Sequence, residues 1–399
     1  MTTLAELNRS IPDDLVDEFL KRLPYVSEGI GAFRLMPGAS RVSFEVHPGF
    51  EAQSELMASR IAQVADKLCL NHRAGISKTL ARQDTLPSSF CADPHELLEQ
   101  QGEIQRYGRG RYGLGPKVAG LVEFFDSRLR AMAARFAAPA YTFPSLIGAD
   151  LLDRCRYLRN FPATLNVVSH LREDHGILQE FARSAHWDGK RLVCDPAALS
   201  HVDCLLSPAV CFHWYAWLSN SKLPASRVIT AVGKCFRYES SNLTGLERLW
   251  DFTMREIIFV GTSEYVLENR RTCVGLSVDL LNELKLAYEI TSATDPFFAD
   301  AYAVQAAYQQ GFDLKFELLV PLPFNGKKLA VGSTNYHQDF FGRCFEIQTN
   351  DAPAHTGCLA FGLERLALAF LAQHGLEERN WPDAVARHMR SVSSSEHHA

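Results

Sequence analysis

Apolar residues recur at helical spacing in several stretches of this chain. Between Phe50 and Leu68, the residues Met57, Ile61, Val64 and Leu68 fall on one face, which predicts an amphipathic helix. From Pro116 to Phe136, Val118, Leu121, Phe125, Leu129 and Met132 form a longer stripe of the same kind. A short helix is expected over residues 94–102 and a final one from about Gly362 to His374. Strand signals are briefer. Ile30 to Val46 reads as two strands around a Pro-Gly turn, and Arg227–Val232, Phe316–Val320 and Cys344–Ile347 are short β-rich runs. These do not alternate with helices as βαβ units require, so the expected class is α+β: an antiparallel sheet of roughly six or seven strands flanked by helices. Residues 1–85 read as a small separable α+β module, 86–390 as the main domain, and 391–399 as a polar tail without structure.

Composition narrows the picture. With 47% hydrophobic and 22% charged residues, the chain has the make-up of a soluble globular protein. The net charge of -5 and the lack of a Lys/Arg run argue against tRNA as a partner, because nucleic-acid binders carry basic patches. The opening MTTLAELNRS has neither a basic start nor an apolar core, so no secretory signal is expected, and no apolar run is long enough to span a bilayer. Ten dispersed cysteines fit free thiols in a reducing cytosol, so a cytoplasmic location is expected. Gly108-x-Gly110-x-x-Gly113 spells a dinucleotide fingerprint, but no apolar strand leads into it, and a glycine-rich turn or hairpin is the better reading.

The chemistry concentrates between Cys235 and Gly261, CFRYESSNLTGLERLWDFTMREIIFVG. A strand ends in Phe236-Arg237-Tyr238-Glu239, a polar loop follows, and an apolar strand begins near Arg248, Phe252 and Glu256. This resembles motif 2 of the class II aminoacyl-tRNA synthetases, and the seryl enzymes most closely. A carboxylate attacking an ATP α-phosphate builds negative charge that a fixed guanidinium can hold bidentately. The resemblance gives that part to Arg237, adenine recognition to Glu239, base stacking to Phe252 and polyphosphate contact to Arg248. Gly357 to Leu366 resembles motif 3, with Ala360 in place of its first glycine and Arg365 reaching the γ-phosphate. Phe345-Glu346-Ile347 resembles the strand whose glutamate holds magnesium. Each element alone is weak; together, in family order, they are specific.

Further stretches narrow the resemblance. Tyr157–Pro162, Pro208–Cys211, Asp295–Phe298, Lys315–Leu319, Asn335–His337 and Cys358–Leu368 make residues from about 105 to 375 similar to the amino acid:[carrier protein] ligases, truncated homologues of archaeal-type seryl-tRNA synthetase. The resemblance implies a homodimer, for which Phe143-Pro144 and the preceding helix are motif 1 candidates. It implies that a small amino acid, glycine or alanine, is activated as its adenylate and passed to the phosphopantetheine thiol of a carrier protein. It also implies zinc held by Cys211, Glu256 and Cys358, two thiolates and a carboxylate with a fourth position for the substrate amine. His337 lines the pocket or simply packs, and the aromatic run Phe212, Trp214, Tyr215 and Trp217 reads as core and pocket wall. Charging of tRNA, donation to a biosynthetic partner, and a catalytically inactive regulatory homologue are the alternatives.

Overall fold

The computed structural model describes residues 1–70, 78–293 and 313–396. Eight strands form the central sheet, in the spatial order Thr79–Gln83, Tyr288–Ser292, Lys315–Leu322, Lys327–Gln338, His355–Gly362, Asp251–Gly261, Arg227–Phe236 and Ala140–Tyr141. Every pairing is antiparallel except the last, where Thr230 and Ala231 run parallel to Ala140 and Tyr141. The expected α+β class with an antiparallel sheet is what the chain adopts.

The two faces of this sheet have different chemistry because side chains alternate along each strand. One face carries Ile257, Phe259, Leu318, Val331, Leu359 and Phe361, all buried. It packs on the helices Pro116–Ala134, Ser263–Glu283 and Leu363–His374. The stripe expected from Pro116 supplies Val118, Leu121, Phe125 and Leu129 to that core. The opposite face is covered at one end by the short helices Cys211–Trp217 and Phe340–Cys344, through Phe212, Tyr215 and Phe341. Phe212, Trp214 and Tyr215 are core as expected, whereas Trp217 is 67% exposed. The remainder of that face mixes a small apolar cluster, Val210, Ala231, Cys235, Met254 and Ala360, with the polar side chains of the candidate site.

Local sequence explains most of the elements. The glycine-rich run is a hairpin, Ile104–Gly108 and Arg111–Leu114, not a nucleotide loop. At its tip Gly110 has φ +65°, and a Cβ there would stand 2.8 Å from the Trp250 amide nitrogen. Trp250 donates that amide to the Gly110 carbonyl at 2.8 Å, so glycine is required both by the turn and by the close approach.

The N-terminal region has its own core of Phe19, Phe44, Met57 and Ile61. It consists of a three-stranded sheet in the order Thr2–Glu6, Arg41–Val46, Ile30–Leu35, backed by the helix Ser54–Cys69. Thr79–Gln83, counted with this module on sequence, is instead the edge strand of the large sheet. Two further expectations are corrected. The polar tail from residue 391 continues a helix, Asp383–Glu396, because Val385 and Met389 anchor it on Pro116–Ala134 and helix propagation costs little once begun. Cys344–Ile347 is not a strand: it is the end of a helix and the turn after it. Asp295–Phe298 lies outside the described residues. Among the described residues no helix is long and apolar enough to cross a membrane.

Arg255 joins the sheet to its helical layer. It is 4% exposed, and its Nε and Nη2 donate to the two carboxylate oxygens of Asp126 at 2.6 and 2.7 Å. Asp126→Ala leaves a buried guanidinium short of its counter-charge, and a loss of about 3 kcal/mol is expected in urea unfolding. An unchanged midpoint and slope would show that this pair does not hold the layer.

Candidate active site

Five of the residues singled out on sequence, Arg237, Glu239, Arg248, Phe252 and Arg365, converge at the Arg227–Phe236 and Asp251–Gly261 strands. Arg237 extends the first strand, donating its amide to the Trp250 carbonyl at 2.9 Å. Its Nε donates to the Pro208 carbonyl at 3.0 Å, and its guanidinium carbon stands 5.5 Å from the centre of the Phe252 ring. Glu239 accepts a hydrogen bond from Arg248 Nη1. Burial alone would raise Glu239, but the guanidinium groups of Arg248, Arg365 and Arg237 hold it below the ordinary carboxylate range. Arg365 donates Nε to the Glu247 carbonyl at 2.8 Å and Nη1 to the Ala330 carbonyl at 3.4 Å. Desolvation, with the repulsion of Arg248 next, lowers it to about 10.

The strand-to-helix junction at Gly362 fixes Arg365. Glu364, 2% exposed, accepts from the Thr253 amide at 2.8 and 2.9 Å and from the Thr253 hydroxyl at 2.7 Å. A carboxylate in the first turn of a helix also complements its dipole. The result is three guanidinium groups gathered around one carboxylate, with an aromatic ring beside them. Such a cluster suits an anion attached to a planar base.

Cys211, Glu256 and Cys358 form a second group on the same face. Glu256 and Cys358 project from neighbouring strands whose register pairs Glu256 with Ala360 and Ile258 with Cys358. Cys211 opens the helix Cys211–Trp217 above them. Glu256 is 1% exposed; its Oε1 accepts the amides of Val210 at 2.9 Å and Cys211 at 3.3 Å, while Oε2 is buried and accepts no hydrogen bond. Burial, then the charge of Cys358, pushes Glu256 up to about 8. Cys211 donates its S–H to Cys358 and is itself raised by that bond and by burial. The same bond, against the effect of burial and with help from His337 and Asn335, draws Cys358 well below the usual thiol range. Asn335 Nδ2 lies 3.5 Å from the Cys358 sulfur, and His337 Nδ1 is 3.1 Å from the Thr356 hydroxyl.

Among the described residues no three His, Cys, Asp or Glu side chains stand as a ready-made metal-ligand group. The three nonetheless lie close enough to shift one another's protonation, and the Cys211 amide donates to Glu256 Oε1 at 3.3 Å. Two sulfurs and a buried oxygen without a partner are a donor set that fits a thiophilic divalent cation.

Glu346 departs from the sequence reading. Its side chain is 71% exposed, its φ is +54°, and it pairs with Arg154 at 3.5 Å. It stands in a turn, not on the expected strand. The carboxylates whose charge reaches Arg365 are Glu239 first and then Glu317, which is half-buried on the strand Lys315–Leu322 and 3.0 Å from Lys315. Its place in the strand's alternation, polar between the buried Phe316 and Leu318, was a signal available in the sequence. Glu364 was also missed, since its role depends on Thr253, which is distant in the chain.

Residues 206–374 match the tRNA synthetase class II core domain (G, H, P, S and T). An amino acid–[acyl-carrier-protein] ligase 1 of Bradyrhizobium diazoefficiens is 33% identical over 312 residues, covering 76% of this chain and 91% of that one. A type-2 serine–tRNA ligase of Methanothermobacter thermautotrophicus is 29% identical over 340 residues, 81% of this chain and 64% of that one. In fold, the chain resembles the M. kandleri SerRS crystallised with A. aeolicus tRNASec, with a TM-score of 0.71, 20% identity and coverage of 98% of this chain and 77% of that one. With a class II core and a relative of this identity matched over nearly its whole length, the chain belongs to the amino acid–[acyl-carrier-protein] ligase family.

Proposed function

We propose that this protein activates a small amino acid, glycine or alanine, with ATP and transfers it to the phosphopantetheine thiol of a carrier protein. The observation that carries this reading is the adjacency of the two groups on one sheet face. Buried Cys235 lies between them and feels the charges of both Arg237 and Glu256. Phe252 and Glu256 are four residues apart on one strand, about 13 Å, which leaves room for an adenylate laid along it. The relatives named amino acid–[acyl-carrier-protein] ligase, matched over most of their length, support the choice of acceptor.

The proposed chemistry follows from the charges. A substrate carboxylate oxygen attacks the α-phosphorus, the bond to the β-phosphate oxygen breaks, and pyrophosphate leaves. Arg237 holds the charge that develops on the α-phosphate, where a preorganised guanidinium is most effective. Phe252 stacks on the base, Glu239 accepts from its amino group, and Arg248 and Arg365 draw the polyphosphate into line. In the second half, a thiolate attacks the acyl carbon and AMP departs. No general base is needed for the first step, because the carboxylate is already ionised.

Cys211, Glu256 and Cys358 are proposed to hold zinc, which when bound would supply a Lewis-acid position that selects a neutral amine. The buried Glu256 Oε2 gains a partner in that case. Glu317, whose charge reaches Arg365, is proposed as the carboxylate that would hold a magnesium ion carried by ATP, since Glu346 is exposed and paired with Arg154. A homodimer through the Phe143-Pro144 region is part of the same proposal. A second reading, charging of tRNA, is favoured by the likeness to serine–tRNA ligases and is weighed against the first by the acceptor. A small N-terminal module, residues 1–70 by packing, is proposed to act on the catalytic domain rather than to do chemistry itself.

Pyrophosphate exchange into ATP, run against each standard amino acid, should proceed with one or two small ones. Arg237→Ala should lower its rate at least about 100-fold. Exchange with none of them, or an Arg237→Ala protein as active as wild type, would remove the activation reading. Metal analysis of purified protein should find about one zinc per chain, and Cys358→Ala should lack it. A Cys358→Ala protein that keeps its zinc would disprove the ligand assignment.

A further inference from the structure

The N-terminal module touches the catalytic domain at the candidate ATP site itself. The helix Val16–Arg22 runs into the turn Leu23–Tyr25, and both are tied to the loop between Arg237 and Arg248. The Tyr25 hydroxyl donates to the Tyr238 carbonyl at 3.3 Å. From the other side, Asn242 Nδ2 donates to the Lys21 carbonyl at 3.0 Å. Lys21 and Tyr25 are 213 or more residues from the loop they hold, so these are tertiary ties and not local capping.

The place of the tie matters. Tyr238 separates Arg237 from Glu239, so the Tyr238 carbonyl belongs to the peptide that sets where Glu239 begins. Asn242 ends the short turn Ser240–Asn242, in which Ser240 takes a left-handed φ of +53°. A non-glycine residue held there costs energy that the surroundings must supply. Tyr25 is half-buried, and its hydroxyl is raised above its ordinary value by burial first and by the Glu239 carboxylate next, with Arg248 opposing. The phenol therefore lies within the field of the same ion pair, Glu239 with Arg248, that closes the loop.

We propose that Tyr25 is a positioning residue for the nucleotide: through the Tyr238 carbonyl, the N-terminal module holds the Arg237–Arg248 loop in the geometry that receives ATP. The inference rests on the reading of Arg237, Glu239 and Arg248 as the ATP site. It gives the module a role in activation itself. It also makes the coupling reciprocal, because a loop ordered by the module binds ATP better and bound ATP must in turn hold the module more firmly.

The test uses the full-length chain and the exchange assay, with Tyr25→Phe, Tyr25→Leu and Arg237→Ala. Loss of one hydrogen bond should raise the KM for ATP about five-fold in Tyr25→Phe, and Tyr25→Leu should raise it further. In both, the KM for the amino acid should stay within about two-fold of wild type, because only nucleotide binding is touched. Hydrogen exchange of residues 16–26 should slow when ATP alone is added to the wild type, and this slowing should be lost in Tyr25→Leu. A purely structural role predicts something else: a lower melting temperature, with KM for both substrates unmoved or shifted alike. That result, or exchange in 16–26 indifferent to ATP, overturns the proposal. Arg237→Ala separates the two levels. If it abolishes exchange while the Tyr25 variants behave as wild type, the inference alone fails. If Arg237→Ala remains active, the ATP-site reading fails and the inference falls with it.

Discussion

Three guanidinium groups facing one another across a single sheet face are the constraint on which the site depends. Arg237, Arg248 and Arg365 repel one another, and Glu239 answers only part of their charge. Carbonyl oxygens of Pro208, Glu247 and Ala330 hold Arg237 and Arg365 in place. A cluster so held is costly without an anion and stabilised with one, which is the electrostatic description of a polyphosphate site. Everything nearby can be read as support for that arrangement. Glu364 locks the helix that carries Arg365, the Gly110 hairpin fixes Trp250 at the end of the loop, and the hydrophobic face behind the sheet keeps the strands in register.

The second group obeys a related rule. A carboxylate that is fully buried and has one oxygen without a hydrogen bond is expensive, and Glu256 meets that description. Its cost is lowered by protonation, which its upward shift expresses, or by a cation shared with the adjoining sulfurs. The two groups thus divide the labour along one strand, Phe252 and the arginine cluster at one end and Glu256 with its cysteines at the other. An amino acid joined to a nucleotide has the same polarity.

Much of this was legible in the sequence because the motifs are local. Phe236 to Glu239 spans a strand end, and Gly362 to Arg365 spans a strand-to-helix junction. Such runs fix both residue identity and direction. The long stripe from Pro116 was equally clear, since every member lies on one helix face. Where reading failed, the reason was physical. Phe345 and Ile347 flank Glu346 with the alternation of a strand, yet both are fully buried beneath the Phe340–Cys344 helix and leave Glu346 on an exposed turn. The helix through the polar tail is carried by contacts made upstream, at Val385 and Met389. The edge strand Thr79–Gln83 has little apolar character and gains its place from pairing with Tyr288–Ser292. The ties from Lys21 and Tyr25 to the loop join residues too far apart in the chain for any spacing rule to reveal.

The destination of the activated amino acid is read by incubating the protein with ATP, radiolabelled glycine or alanine, a phosphopantetheinylated carrier protein and total tRNA in one mixture, and then separating protein from RNA. The account predicts label on the carrier protein, released by hydroxylamine as expected for a thioester. Label on tRNA with none on the carrier would contradict it.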